Sequence, residues 1–258
     1  MNSILQIKDV SKSFGGVKAL LNAGFAVEKG TIHSVIGPNG SGKTTLINVI
    51  TGFYQPDSGE VLLNGTVISN LKPYSIARLG IARTFQNLRL FNSMTVADNV
   101  KTALHYRLQQ NLMHTLAGTS ALKKSEEQAN EQVANILEKL ELTGITNHMV
   151  SGLPYGQRRL VEIARALSLS PQILLLDEPV AGMNPSESLD LIKKIRKLVD
   201  DGTTVILVEH DMKVVMKYSD AISVLNYGQI IAHGSAKEIQ NNQCVIEAYL
   251  GMRKEYEC

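Results

Sequence analysis

The sequence predicts an α/β fold, a parallel-sheet core with a helical segment inserted into it, and three features of its 258 residues carry that reading. From Ile173 onward, short apolar runs alternate with amphipathic helical stretches, the pattern of strands joined by crossover helices. A glycine-rich turn separates an apolar strand from a helix at residues 37–44. Between these regions, over residues 87–166, helical spacing replaces strand-like alternation. The chain therefore reads as one domain over residues 1–258. Residues 1–86 and 157–258 form the core, and residues 87–156 the helical subdomain.

Four strands are expected first, over residues 5–10, 19–27, 31–36 and 60–64, punctuated by Gly15-Gly16, Gly30 and Asp57-Ser58-Gly59. A helix opens at Gly42-Lys43 and runs to about Ile50. In the middle segment, Val133, Ile136, Leu137 and Leu140 fall at helical spacing after a polar stretch at 123–132. Residues 173–176 form a continuous apolar run, as a strand buried on both faces requires. A helix over 186–199 places Leu189, Ile192, Ile195 and Val199 on one face. A second buried strand covers 203–208. Strands at 221–225 and 229–232 follow, with Tyr227-Gly228 as their turn.

Composition excludes some functions. With 26 basic against 24 acidic residues there is no polyanion footprint, so no nucleic-acid partner is expected. No apolar run approaches the ~20 residues that span a bilayer. The first ten residues lack a basic leader with an apolar stretch, and there is no Trp for an interfacial belt. A cytoplasmic chain that meets a membrane only through a partner is expected. Cys244 and Cys258 read as thiols in a reducing compartment, neither needing a function.

Gly37-Pro38-Asn39-Gly40-Ser41-Gly42-Lys43-Thr44 fits the phosphate-loop pattern G-x-x-x-x-G-K-[ST] in full, with Thr45 following on the helix. Glycines let successive N–H groups curl inward toward phosphate oxygens, and the helix dipole points at the same anion. Lys43 is expected to reach the β- and γ-phosphates of ATP, and the Thr44 hydroxyl to ligate Mg²⁺. Asp177 and Glu178 end the apolar run at the edge where ligands bind in such sheets. Asp177 is expected to hold Mg²⁺ and Glu178 to activate the attacking water.

Four further motifs narrow the family. They are Ser13-Phe14-Gly15-Gly16, Thr84-Phe85-Gln86-Asn87, Leu153-Pro154-Tyr155-Gly156-Gln157 and Val208-Glu209-His210-Asp211. In order and spacing the chain resembles an ABC transporter ATPase. That resemblance implies a P-loop NTPase fold with a parallel-sheet core, an antiparallel β subdomain and the inserted helical subdomain. It implies that Phe14 stacks on adenine, that Gln86 contacts the metal or water, and that His210 contacts the γ-phosphate. Tyr155, Gly156 and Gln157 stand in the signature segment, which meets the nucleotide of a second ATPase subunit. Here the sequence departs from the family's Leu-Ser-Gly-Gly-Gln: Pro154 stands where the serine hydroxyl would be, ahead of a helix expected at 160–167.

Ala181-Gly182-Met183-Asn184-Pro185, Leu225-Asn226-Tyr227-Gly228 and the stretch 246–251 are similar to one subfamily, the ATP-binding subunit of bacterial branched-chain amino acid importers. The helical insertion at 102–130 also suits it. The resemblance implies a heterodimer of ATPases at the inner face of the cell membrane, two transmembrane permease subunits and a separate solute-binding protein. It also implies that residues 87–91 grip a helix of the membrane subunit. The ATPases of urea import or lipopolysaccharide export share much of this pattern. Ribosome-associated relatives carry two phosphate loops, repair ATPases a long coiled coil, and neither is present; Glu178 and His210 speak against a non-hydrolysing regulator.

Overall fold

The computed structural model describes residues 3–86, 88–108 and 119–250. Asn87, residues 109–118 of the helical insertion, Gly251 and Cys258 lie outside the described residues.

Ser3–Phe14 (β1), Val17–Glu28 (β2), Ser58–Leu63 (β4) and Thr66–Val67 (β5) form an antiparallel sheet in the order β2-β1-β4-β5. β1 and β2 run longer than expected, because Gly15 and Gly16 take positive φ and close the hairpin with Phe14 opposite Val17. Residues 11–16 carry no apolar alternation, which hid the strand from the sequence. A second sheet contains Ile32–Ile36 (β3), Ile81–Arg83 (β6), Ile173–Asp177 (β7), Thr204–Val208 (β8), Ala221–Asn226 (β9) and Gln229–Gly234 (β10). Its order is β10-β9-β3-β8-β7-β6, parallel throughout except for β10 on β9.

The fully apolar strands feed two cores. On β7 and β8, Leu174, Leu176, Val205 and Leu207 face one cluster, while Ile173, Leu175, Ile206 and Val208 face another. Period-two side-chain direction splits them this way. Lys43–Ile50 (α1) packs Leu46, Ile47, Val49 and Ile50 into the cluster shared with the antiparallel sheet. Pro73–Arg78 (α2) leads into β6.

On the opposite face lie Val96–Leu108 (α3), Thr119–Lys139 (α4), Tyr155–Leu167 (α5) and Pro185–Asp200 (α6). Val133, Leu137 and Leu140 are buried there as the spacing predicts. On α6, Leu189 is 37% exposed, and Leu191 and Leu198 are buried instead. α5 begins five residues before the expected start at 160, so Tyr155, Gly156 and Gln157 lie in its first turn. Met212–Tyr218 (α7), Ala236–Gln240 (α8) and Gln243–Leu250 (α9) complete the chain.

Ion pairs tie the helical insertion to the core helix α6: Glu141 accepts from Lys194 and, at 2.9 Å, from Lys197, and Lys139 meets Asp201 at 2.6 Å. Among the described residues no helix is long and apolar enough to cross a membrane. Cys244, read from the sequence as a thiol, is disulfide-bonded.

Candidate phosphate and hydrolysis site

β3 is buried at every position, and its end launches the glycine-rich loop into α1. A Cβ on Gly37 would stand 2.0 Å from the Leu225 carbonyl oxygen, and one on Gly42 would stand 2.4 Å from that of Ala19. Gly42 also holds φ at 109°, so contact and conformation both demand glycine. No side chain caps α1, which leaves its first N–H groups to the loop. The Ser41 hydroxyl is buried without a hydrogen-bond partner. Pro38 is half-buried and Asn39 and Gly40 are exposed along the loop; Thr44 is exposed and Thr45 half-buried on the helix.

The Lys43 ammonium donates to the carbonyls of Gly37 (2.8 Å) and Pro38 (3.0 Å). Burial lowers its pKa, while the carboxylates of Glu178 and Asp177 act in the opposite direction.

Four neighbouring parallel strands deliver their C-terminal ends to this edge: β3, β8, β7 and β6. Asp177 ends β7, buried, with its carboxylate 3.0 Å from Arg83 at the end of β6. Arg83 also donates to Asn48 of α1 at 2.7 Å. Glu178 has a left-handed backbone (φ 47°), held by its N–H donating to Val208 at 2.9 Å. Its carboxylate accepts from the Gln86 amide at 3.0 Å, and His210 Nδ1 lies 4.0 Å away. The structure thus brings Lys43, Asp177, Glu178, Gln86 and His210 to one edge. A carboxylate so flanked can orient a water and take its proton.

Two features that sequence reasoning missed hold this edge. Glu209 is fully buried and accepts from the N–H groups of Val180 (3.1 Å) and His210 (3.2 Å). Burial raises its pKa, against the pull of those N–H groups. Arg159 on α5 is fully buried beneath the Glu178 loop. Glu209 stands inside the Val208–Asp211 motif and Arg159 two residues past Gln157, which is the only signal the sequence offered.

Phe14 ends β1, 42% exposed, with the Tyr54 ring edge-on at 5.1 Å. The flat exposed ring can stack on a base. Among the described residues no hydrogen bond or ion pair joins Tyr155, Gly156 or Gln157 to residues 37–45. Pro154 is the N-cap of α5, without a side-chain hydrogen bond, so this helix too begins with free N–H groups.

The site suits a nucleoside triphosphate with Mg²⁺. The buried Ser41 hydroxyl and the uncapped α1 supply donors for phosphate oxygens. Thr44, Gln86 and Asp177 offer oxygen ligands, which a hard dication prefers. Among the described residues no group of three or more His, Cys, Asp or Glu could hold a metal. A dication held mainly through substrate phosphates and water fits that arrangement.

The ABC transporter family model matches residues 20–181, and a model described as Branched-chain amino acid ATP-binding cassette transporter matches residues 229–251. The chain is 46% identical over 249 residues to a Pseudomonas aeruginosa protein, High-affinity branched-chain amino acid transport ATP-binding protein BraF, covering 96% of this chain and 98% of that one. It is similar to the crystal structure of an ATP-binding cassette of an ABC transporter in its ADP conformation (TM-score 0.84, 36% identity, 97% of this chain and 100% of that one). A dimeric ATP-binding cassette in a post-hydrolysis state with ADP and Pi is also similar, at TM-score 0.73 and 27% identity over 90% of this chain and 98% of that one.

Proposed function

The chain belongs to the ABC transporter family of ATP-binding proteins, and from that premise we propose that it hydrolyses ATP to drive import of branched-chain or closely related amino acids. The observation that carries the chemistry is the meeting of Gln86 and Glu178 at 3.0 Å beside the phosphate loop. The likeness to BraF over nearly the whole chain and the second family match at residues 229–251 support the solute class.

In this reading the N–H groups of residues 37–44 bind the phosphates, Lys43 shifts from the loop carbonyls to phosphate oxygens, and Phe14 stacks on adenine. Thr44, Gln86 and Asp177 hold Mg²⁺, whose charge neutralises the phosphate oxygens when bound. Glu178 orients the attacking water and takes its proton, with Gln86 and His210 fixing the geometry. Tyr155, Gly156 and Gln157 face the nucleotide of a second ATPase subunit. The lack of any bond to the chain's own loop among the described residues and the dimeric relative support that arrangement. Triphosphate then acts as a ligand of the closed pair, and its hydrolysis reopens the pair. The other ATPase is a different chain, joined by two permease subunits at the inner face of the cell membrane and served by a solute-binding protein. The loop just past Gln86 grips the permease, and crosslinks from Leu88 or Leu90 to that partner test the contact.

Affinity purification of the tagged chain from its native membrane tests the whole reading. Two multi-span membrane proteins and a second ATPase are expected, with ATPase activity stimulated by loaded solute-binding protein. A soluble species recovered with ribosomes or DNA would overturn the transport assignment.

A further inference from the structure

The guanidinium of Arg159 is fully buried, yet each of its N–H directions has an acceptor. Nε donates to the Pro179 carbonyl (3.3 Å), and Nη2 to those of Asp177 (2.7 Å) and Glu178 (3.2 Å). Nη1 donates to the Phe85 carbonyl (2.6 Å) and to the Glu162 carboxylate (2.5 Å). Glu162, 2% exposed, accepts from the Phe85 N–H at 3.4 Å with its other oxygen. The backbone of Phe85 is therefore held on both sides, one residue before Gln86. Three successive carbonyls around Glu178 rest on the same cation.

A buried ion pair is weak evidence for stability, since apolar residues of similar volume often replace one without loss. Two loops held by one rigid, forked group are better explained by geometry than by folding energy. We propose that Arg159 and Glu162 are positioning residues that set the contact between Gln86 and Glu178. They couple that contact to α5, whose N-terminus meets the partner's nucleotide. This deepens the ATPase reading and rests on it. A ligand-driven tilt of α5 moves the carbonyls of Phe85 and Glu178 together, so occupancy of the neighbouring site is felt at this site's hydrolytic carboxylate.

The decisive variant is Arg159→Lys, which keeps the charge beside Glu162 but loses the fork. In the assembled transporter it should lower kcat by about tenfold or more, as expected for a displaced catalytic group. Binding of ATP to the isolated chain should stay within about twofold, because the phosphate loop is untouched. In a Gln86→Ala background the same substitution should change kcat by less than about twofold, because the contact it acts through is gone. Glu162→Gln should follow the same pattern with a smaller loss, and serves where Arg159→Lys lowers the yield of folded protein. An unchanged kcat overturns the proposal. So does an equal loss with and without Gln86, or a fall in ATP affinity that matches the fall in kcat. If the unsubstituted complex hydrolyses no ATP, the ATPase reading itself fails, a different result from any of these.

Discussion

Helices α1 and α5 differ from α6, α7 and α8 in how they begin. Asn184 caps α6 in a full capping box with Glu187, Asp211 caps α7, and Ser235 caps α8 with Glu238. α1 and α5 start at Gly42 and Pro154 with no side-chain cap. A missing cap forgoes about 1 kcal/mol of helix stability. In the capped helices the chain satisfies its own N–H groups; the short α2, opened by Pro73, also lacks a cap, and in α1 and α5 those groups are left for an anion. The contrast separates parts of the molecule that maintain the fold from parts that spend stability on a ligand.

Experiments can break or sharpen that contrast. Lys43→Ala should abolish ATP turnover while circular dichroism shows an intact fold; full activity would place the anion site elsewhere. Glu178→Gln should slow hydrolysis by about 100-fold or more. It should still bind ATP and accumulate as a dimer on size exclusion, and a monomer under saturating ATP would contradict the sandwich of α5 on the partner's nucleotide.

Between Phe25 of β2 and His233 of β10, the fold has its own titration. His33 on β3 is buried, hydrogen-bonded to Ser223 at 2.9 Å, and its pKa is lowered to about 3 by burial and by nearby His233. The unfolded chain takes up this proton near pH 6.5 and the folded chain does not, so stability is complete above pH 6.5 and lost as pH falls toward 3. Denaturant midpoints at pH 7, 5 and 4 should fall less steeply in His33→Phe. Pro154→Ser should raise turnover by roughly tenfold, the effect of one added hydrogen bond to a charged phosphate; no change would show that the N–H groups of α5 suffice. Asn184→Ala should lower stability by about 1 kcal/mol. That is about 2–4 °C in Tm for a chain of this size. A removable cap on α6 with no measurable effect would erase the distinction.

The glycine-rich loop after β3 and the acidic pair ending β7 were legible because each is a short run of residues whose chemistry is local. Gln86 and His210, which the structure sets beside Glu178, entered only through the resemblance. The strands at 173–176 and 203–208 were legible too, where a fully apolar run has few other uses. Arg159 and Glu162 were not. They carry no motif of their own, and only the carbonyls brought from residues 85 and 177–179 make a buried arginine tolerable. β6 escaped because three residues carry no periodicity, and Leu189 was misplaced because α6 turns Leu191 and Leu198 inward instead. Pro154 concealed the start of α5, since an N-cap proline looks like an interruption before the helix rather than its first landmark.

The strand order has a consequence for how the protein comes into being. β3, which carries the phosphate loop, pairs only with β8 and β9, which end 172 and 190 residues after it (208 − 36 and 226 − 36). A ribosome that has made the phosphate loop has not yet made either of its neighbours. The loop's walls, at Leu225 of β9 and at the Gly228 N–H donated to the Ser41 carbonyl, arrive only after β8. Such distant pairing slows folding and leaves apolar strands waiting. The site therefore cannot close on a nucleotide until β8, β9 and the turn at Gly228 have been made.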